Sequence, residues 1–335
     1  MLTYPVEPAL MGTNMQFSMM KLSSMMHVSP STIMDSGDSP VKHVFDSFSL
    51  NQSIINHIQQ LIHLLADIQR HRACSLAILS GNDSFDKQVM SLHRKINGRL
   101  HFLNSQDELT EVADPHEWNN ILGEWKVVGY GWRRDNVLHN FELHSHLLEK
   151  ILNMIRHTGR WILRSGSYSE QMADHYLGHE VFEFIFTTHL YQIETFGKLR
   201  GLGTHIANSG FRDVENSIDH AMRMRIEFLL QCAKQEQTVS SEFMHAHAAS
   251  ISRNIPALLD MQRSEPTLQE WLTLIADILQ ERITPSDALA RQVFDLASTV
   301  IDARLALTEQ ILAYLHLAIE EMLETLLEET VELTT

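Results

Sequence analysis

The sequence is poor in the residues that interrupt helices, with 14 glycines and 8 prolines among 335 residues. That scarcity disfavours a loop-rich or all-β protein, whose turns depend on them. Only two cysteines occur, Cys74 and Cys232, in helix-like runs and without CxxC spacing. Both read as buried small hydrophobes of a reduced compartment. No apolar run reaches the roughly 18 residues of a membrane span. The N-terminus carries Lys21 but no continuous apolar segment behind it, so a secretory leader is not expected. Positive charge is also short: 26 Lys and Arg against 42 Asp and Glu leave a net charge of −16. Such a balance argues against a general nucleic-acid binder, which needs a basic face, but is compatible with a local basic pocket. The expected setting is cytoplasmic, without membrane contact. Nucleophile elbow, phosphate loop, dinucleotide fingerprint and HExxH are all absent, so the chain is not expected to be an enzyme.

What the sequence has is helical periodicity. Residues 1–45 mix Met and Ser with Pro and Gly and read as an unstructured arm. From Phe45 onward, apolar residues recur at spacings of three and four. Ile54, Ile55, Ile58, Leu61, Ile62, Leu65 and Ile68 form one such stripe. Ser80-Gly81-Asn82-Asp83 stops that helix, and Asn208-Ser209-Gly210 stops the longest later run. Helical runs on either side of a loop at Gly129–Asn136, and a further segment at Ser240–Asn254, continue the pattern. No stretch alternates with period two. The expected fold is all-α: two antiparallel bundles of four-helix type, over 46–165 and 166–330, sharing or joined by a long helix.

Two glycine-punctuated stretches resemble each other. "RACSLAILSGNDSF" starts at Arg72 and "RGLGTHIANSGF" at Arg200, 128 residues apart (200 − 72). Each places small residues after its arginine and stops at a Ser-Gly about two turns on, with Phe85 or Phe211 following. Glu117-Trp118 and Glu270-Trp271 offer a second matched pair. Gly197, Gly201 and Gly203 each weaken a helix by about 1 kcal/mol relative to alanine, so close helix approach or a site must compensate. A lone arginine of this kind is most often a snorkelling surface charge. Two at equivalent places, flanked by residues too small to shield them, point to a shared anion site.

These same residues, "IETFGKLRGLGTHIA" above all, with "QRHRACSLAILSG" and the Glu-Trp helices, resemble the nitrate- and nitrite-sensing (NIT) domain over roughly residues 50–328. Where that family commonly shows Glu-Arg-Gly, this chain has His71-Arg72-Ala73. The resemblance implies a sensor of two helical bundles that binds nitrate or nitrite through arginines on facing helices. It makes Arg72 and Arg200 the principal ligands, with Arg70 a weaker candidate. Arg263 is the nearest match to a further family arginine, and Gly201 and Gly203 let the helices approach. An RNA-binding ANTAR output of the kind found in the best-known architecture is not expected here. A regulatory partner in trans, or a homodimer, is therefore expected.

The chemistry is consistent with that resemblance. Guanidinium is a planar fork of donors that keeps its charge, and nitrate is a planar monoanion with three acceptors. One negative charge between two positive ones leaves an excess, so an acid or polar group nearby is expected. Two other readings remain open. One is an interaction scaffold using the acidic helix "LAIEEMLETLLEE". The other is a histidine-rich metal bundle, drawing on 20 histidines that include His175 and His179 beside Asp174 and Glu180. Glu242 and His245 give the one ExxH found, where a di-iron bundle needs two. No metal or cofactor is expected.

Overall fold

The computed structural model describes residues 40–105, 114–164, 179–211, 217–247 and 255–334. The expected arm at 1–45 therefore lies, through residue 39, outside the described residues. So do Asp174, His175 and the expected bundle boundary between 165 and 166. Every regular element among the described residues is helical. No helix among them is long and apolar enough to cross a membrane.

In chain order the helices are α1 Pro40–Leu79, α2 Asp86–Asn104, α3 Pro115–Gly131, α4 Val137–Arg164, α5 His179–Phe184 and α6 Leu190–Ser209. They continue with α7 Ser217–Ala246, α8 Ala257–Arg263, α9 Glu265–Leu279 and α10 Asp287–Thr334. A π-helical turn at Ile185–His189 joins α5 to α6. The Ile54–Ile68 stripe of α1 is almost wholly excluded from solvent, as its spacing predicts. At α3, Asp114 accepts a hydrogen bond from the His116 amide and Pro115 occupies the first turn, which needs no donor there. The helix then runs to Gly131 and passes into a 3₁₀ turn at Trp132–Arg134, so the expected loop from Gly129 is largely helical. Ser240 lies inside α7 rather than opening a new segment.

The chain forms two compact units, 1–52 with 315–335, and 53–314. In the first, the Gln52 amide donates to the Glu320 carboxylate at 3.2 Å, and His316 lies one turn before Glu320. The second unit contains two sets of up-and-down helices. Side-chain bonds of Asp67 to Lys95 and of Gln60 to Arg99 run α2 antiparallel to α1. Those of Asn97 to Trp125 and of Asn104 to Trp118 reverse α3 on α2. His71 to His144 and Ser75 to Asn140 reverse α4 on α1. In the other set, Ser240 with Gln192 and Glu236 with Thr195 set α7 against α6. His189 with Arg304 and Arg200 with Ser298 set α10 against α6.

Helices α1 and α6, each first in its set, lie side by side and run parallel. Gln69 donates to Glu194 and Ser80 meets His205, 125 residues apart in both cases. Both helices stop at a Ser-Gly whose glycine takes a positive φ, +98° at Gly81 and +62° at Gly210, a conformation glycine adopts without penalty. Trp125 packs on His71 of α1, and the fully buried Trp271 packs on Phe196 of α6. Trp118, matched to Trp271 on sequence, is only half-buried and bonds Asn104.

Candidate anion site

Between α1 and α6 the backbone approach is made by glycine. A Cβ at Gly197 would lie 2.9 Å from Gln69 Cδ and 3.1 Å from Arg72 Nη2, and one at Gly201 3.1 Å from Leu76 Cδ1. Gly203 faces the other way. Its Cβ would come within 2.5 Å of Ile275 Cδ1 on α9, so it serves the packing of the second set rather than the approach to α1.

Arg72 and Arg200 are both fully buried, a costly location for a charge unless it is paired. Arg72 is paired. Its Nη1 donates to Glu194 Oε1 at 2.7 Å and to Ser145 Oγ at 3.0 Å, and its Nη2 donates to Glu194 Oε2 at 3.2 Å. Gln69 Nε2 adds a donor to Glu194 Oε2 at 2.6 Å. Glu194 itself is almost wholly excluded from solvent, its relative exposure being 3%.

Arg200 has a different environment. Its Nη1 donates to Ser298 Oγ at 3.2 Å, and its guanidinium carbon lies 5.5 Å from the Phe294 ring centre. Nε and Nη2 have no hydrogen-bond partner among the described residues. Those two nitrogens form the side-on fork of a guanidinium, the edge that takes two oxygens of one planar anion. Burial, reinforced by the charge of Arg70, pulls the Arg200 pKa down to about 9, against a partial counter-effect from Asp302. This cation is thus undersolvated, and a bound anion would compensate it.

The remaining sequence candidates are placed at different depths. Arg70 keeps a quarter of its side chain exposed and pairs with Asp302 across α1 and α10, with Asp67 3.9 Å away. It contributes field to Arg200 without sharing its burial. Arg263 on α8 is 77% exposed and bonded to Asp260 one turn back, so the structure does not bring it to the buried arginines.

A third fully buried arginine, Arg304, was not singled out from the sequence. Its Nη2 donates to Gln237 Oε1 at 2.7 Å, and its guanidinium lies 4.8 Å from the Phe196 ring centre. Burial lowers its pKa to about 10, opposed by Glu265. Gln237 in turn bonds Gln192 and Glu265. The available signal was register: Arg304 continues the buried stripe of Val293, Ala297, Val300 and Ile301 at three- and four-residue spacing. Glu194 likewise interrupts the apolar face of Leu190, Ile193 and Phe196.

Among the described residues no three His, Cys, Asp or Glu side chains group closely enough to hold an ion. His71 and His144 bond each other at 2.9 Å deep in the first set. Burial holds both neutral, with His144 lowered to about 3 and His71 pushed well below its usual range. Cys74 is buried and its thiol is pushed up to about 12, whereas Cys232 is only half-buried, contrary to its reading as a core residue. No family model, curated protein or solved structure matches the chain.

Proposed function

We propose that the protein is a sensor for a small planar monoanion, nitrate or nitrite. The anion binds at Arg200 where α6 lies against α1 and α10, and changes the packing of those helices. The observation that carries this reading is the fully buried Arg200 guanidinium, whose side-on fork has no protein partner among the described residues. The resemblance of "IETFGKLRGLGTHIA" to the nitrate- and nitrite-sensing domain supports the same ligand. The positive field of Arg70 and Arg72 at Arg200 favours an anion in particular. An anion that binds this arrangement better than one with α6 displaced shifts the population toward it, as a switch requires. The reading has the protein acting in the cytoplasm without catalysing a reaction, and signalling through a regulatory partner or a second copy of the chain.

Calorimetric titration with sodium nitrate tests this, together with the melting temperature measured with and without nitrate. Heat of binding and a nitrate-dependent rise are expected for the wild type, and neither for Arg200→Met. A wild type that shows no heat and no shift at millimolar nitrate defeats the proposal.

A further inference from the structure

The two sets of helices repeat more than an arginine. Arg72 bonds Ser145 at 3.0 Å and lies 5.4 Å from the Phe141 ring centre; Arg200 bonds Ser298 at 3.2 Å and lies 5.5 Å from that of Phe294. Phe141 and Ser145 stand four apart on α4, as Phe294 and Ser298 do on α10. Each arginine, on the first helix of its set, therefore meets the same Phe-x-x-x-Ser face on the last.

One component breaks the repeat. Arg72 faces the planar carboxylate of Glu194, gripped through both oxygens at 2.7 and 3.2 Å, whereas Arg200 faces no carboxylate that bonds it. α1 could not supply one, because it carries no acid after Asp67. Asp67 itself is engaged with Lys95 and Arg99 at 2.9 Å each. A carboxylate presents to a guanidinium what nitrite, or one edge of nitrate, presents: two coplanar oxygens bearing delocalised negative charge.

We propose that Arg72 is a second site for the same anion chemistry, kept closed by the carboxylate of Glu194 as a built-in occupant. The donors that would hold a free anion there are already assembled: Arg72 Nη1 and Nη2 and Gln69 Nε2 all converge on the carboxylate oxygens. On the α4 side Ser145 Oγ accepts from Arg72 Nη1 and donates to the Phe141 carbonyl, which holds the guanidinium in place. Gly197 leaves α6 close enough for Glu194 to reach them. The consequence is one anion per chain at Arg200 and a covalently tethered one at Arg72. Glu194 and Arg200 share α6, so a movement of that helix on binding at one arginine pulls on the occupant of the other. The proposal rests on the anion reading of Arg200 only for the wild-type stoichiometry.

The test removes the occupant. Glu194→Ala deletes the carboxylate and vacates the space it fills against Arg72, and titrated with sodium nitrate it should take two anions per chain where the wild type takes one. In the Arg200→Met background the contrast is sharper: Arg200→Met alone takes none, and Arg200→Met with Glu194→Ala takes one. Helical content by circular dichroism, with and without excess nitrate, accompanies each titration. A variant that folds only in nitrate supports the proposal, because the anion then replaces the missing carboxylate. A double variant of native helical content that takes no nitrate overturns it, as does Glu194→Ala that folds in neither buffer. A wild type that takes none while the double variant takes one defeats the reading of Arg200 and leaves this proposal standing.

Discussion

Replacing Arg200 by methionine should stabilise the protein in the absence of nitrate and abolish its response to nitrate. The guanidinium pKa is lowered from 12.5 to about 9, so holding it charged costs the folded state on the order of 5 kcal/mol at neutral pH relative to the unfolded chain. Against that cost stand one hydrogen bond to Ser298, worth about 1 kcal/mol, and a cation–π contact with Phe294 of about 1 kcal/mol. Methionine retains the apolar stem and loses both. The net expectation is a gain of about 2–3 kcal/mol, in line with other buried charges exchanged for apolar residues. For 335 residues that is roughly 3–4 °C in melting temperature.

The pH dependence follows from the same shift. Arg200 is a base whose folded-state pKa is depressed, so the unfolded chain binds the extra proton between about pH 9 and 12.5. The wild type therefore gains stability across that window relative to Arg200→Met, and the difference is fully present below it. Nitrate at a hundredfold excess over its dissociation constant should add about 2.7 kcal/mol to the wild type and nothing to the variant. The assay is calorimetric or fluorimetric melting in buffer with a bulky counter-anion, with and without nitrate. An Arg200→Met protein less stable than wild type without nitrate, or equally responsive to it, refutes the reasoning.

Arg72→Ala should behave oppositely, because it leaves Glu194 buried without its partner; a loss of about 3–5 kcal/mol in urea unfolding is expected. Gly203→Ala forces a Cβ against Ile275, and the overpacking of about 1–3 kcal/mol should exceed the helix-propensity gain of about 1 kcal/mol. Equilibrium unfolding of that variant checks the sign. His144 has a folded-state pKa of about 3, so the unfolded chain takes up the proton first as pH falls below about 6.5. Stability should then decline from there toward pH 3, and His144→Asn should flatten that part of the profile. A thiol reagent should label Cys232 in the native protein well before Cys74, whose thiol is buried and pushed up to about 12.

The all-α class was legible because burial in a helix has a period. The Ile54–Ile68 stripe specifies its own element, whatever it later packs on. The break at Ser80-Gly81 and its counterpart at Ser209-Gly210 were legible for the same local reason, since a positive φ favours glycine in any context. Arg72 and Arg200 stood out because their flanking residues are small. The partners of those arginines were not legible. Glu194 is 122 residues from Arg72 and Ser298 is 98 from Arg200. Nothing local in a glutamate or a serine announces which distant guanidinium it will meet.

By itself, then, the sequence determined where helices run and stop, which face of each is apolar, and that two arginines occupy matched places beside small residues. Those properties follow from backbone conformation and side-chain volume within a few turns. Only the tertiary structure decided that α1 and α6 lie parallel, that Gly197 and Gly201 rather than Gly203 close their contact, and that Arg304 is buried while Arg263 is solvated. It also decided the charge balance of the seam. Arg72 is neutralised by a carboxylate from the neighbouring helix, and Arg200 is left with a serine and an aromatic ring. Electrostatic pairing inside a bundle depends on the register between helices far apart in sequence, and no local pattern encodes that register.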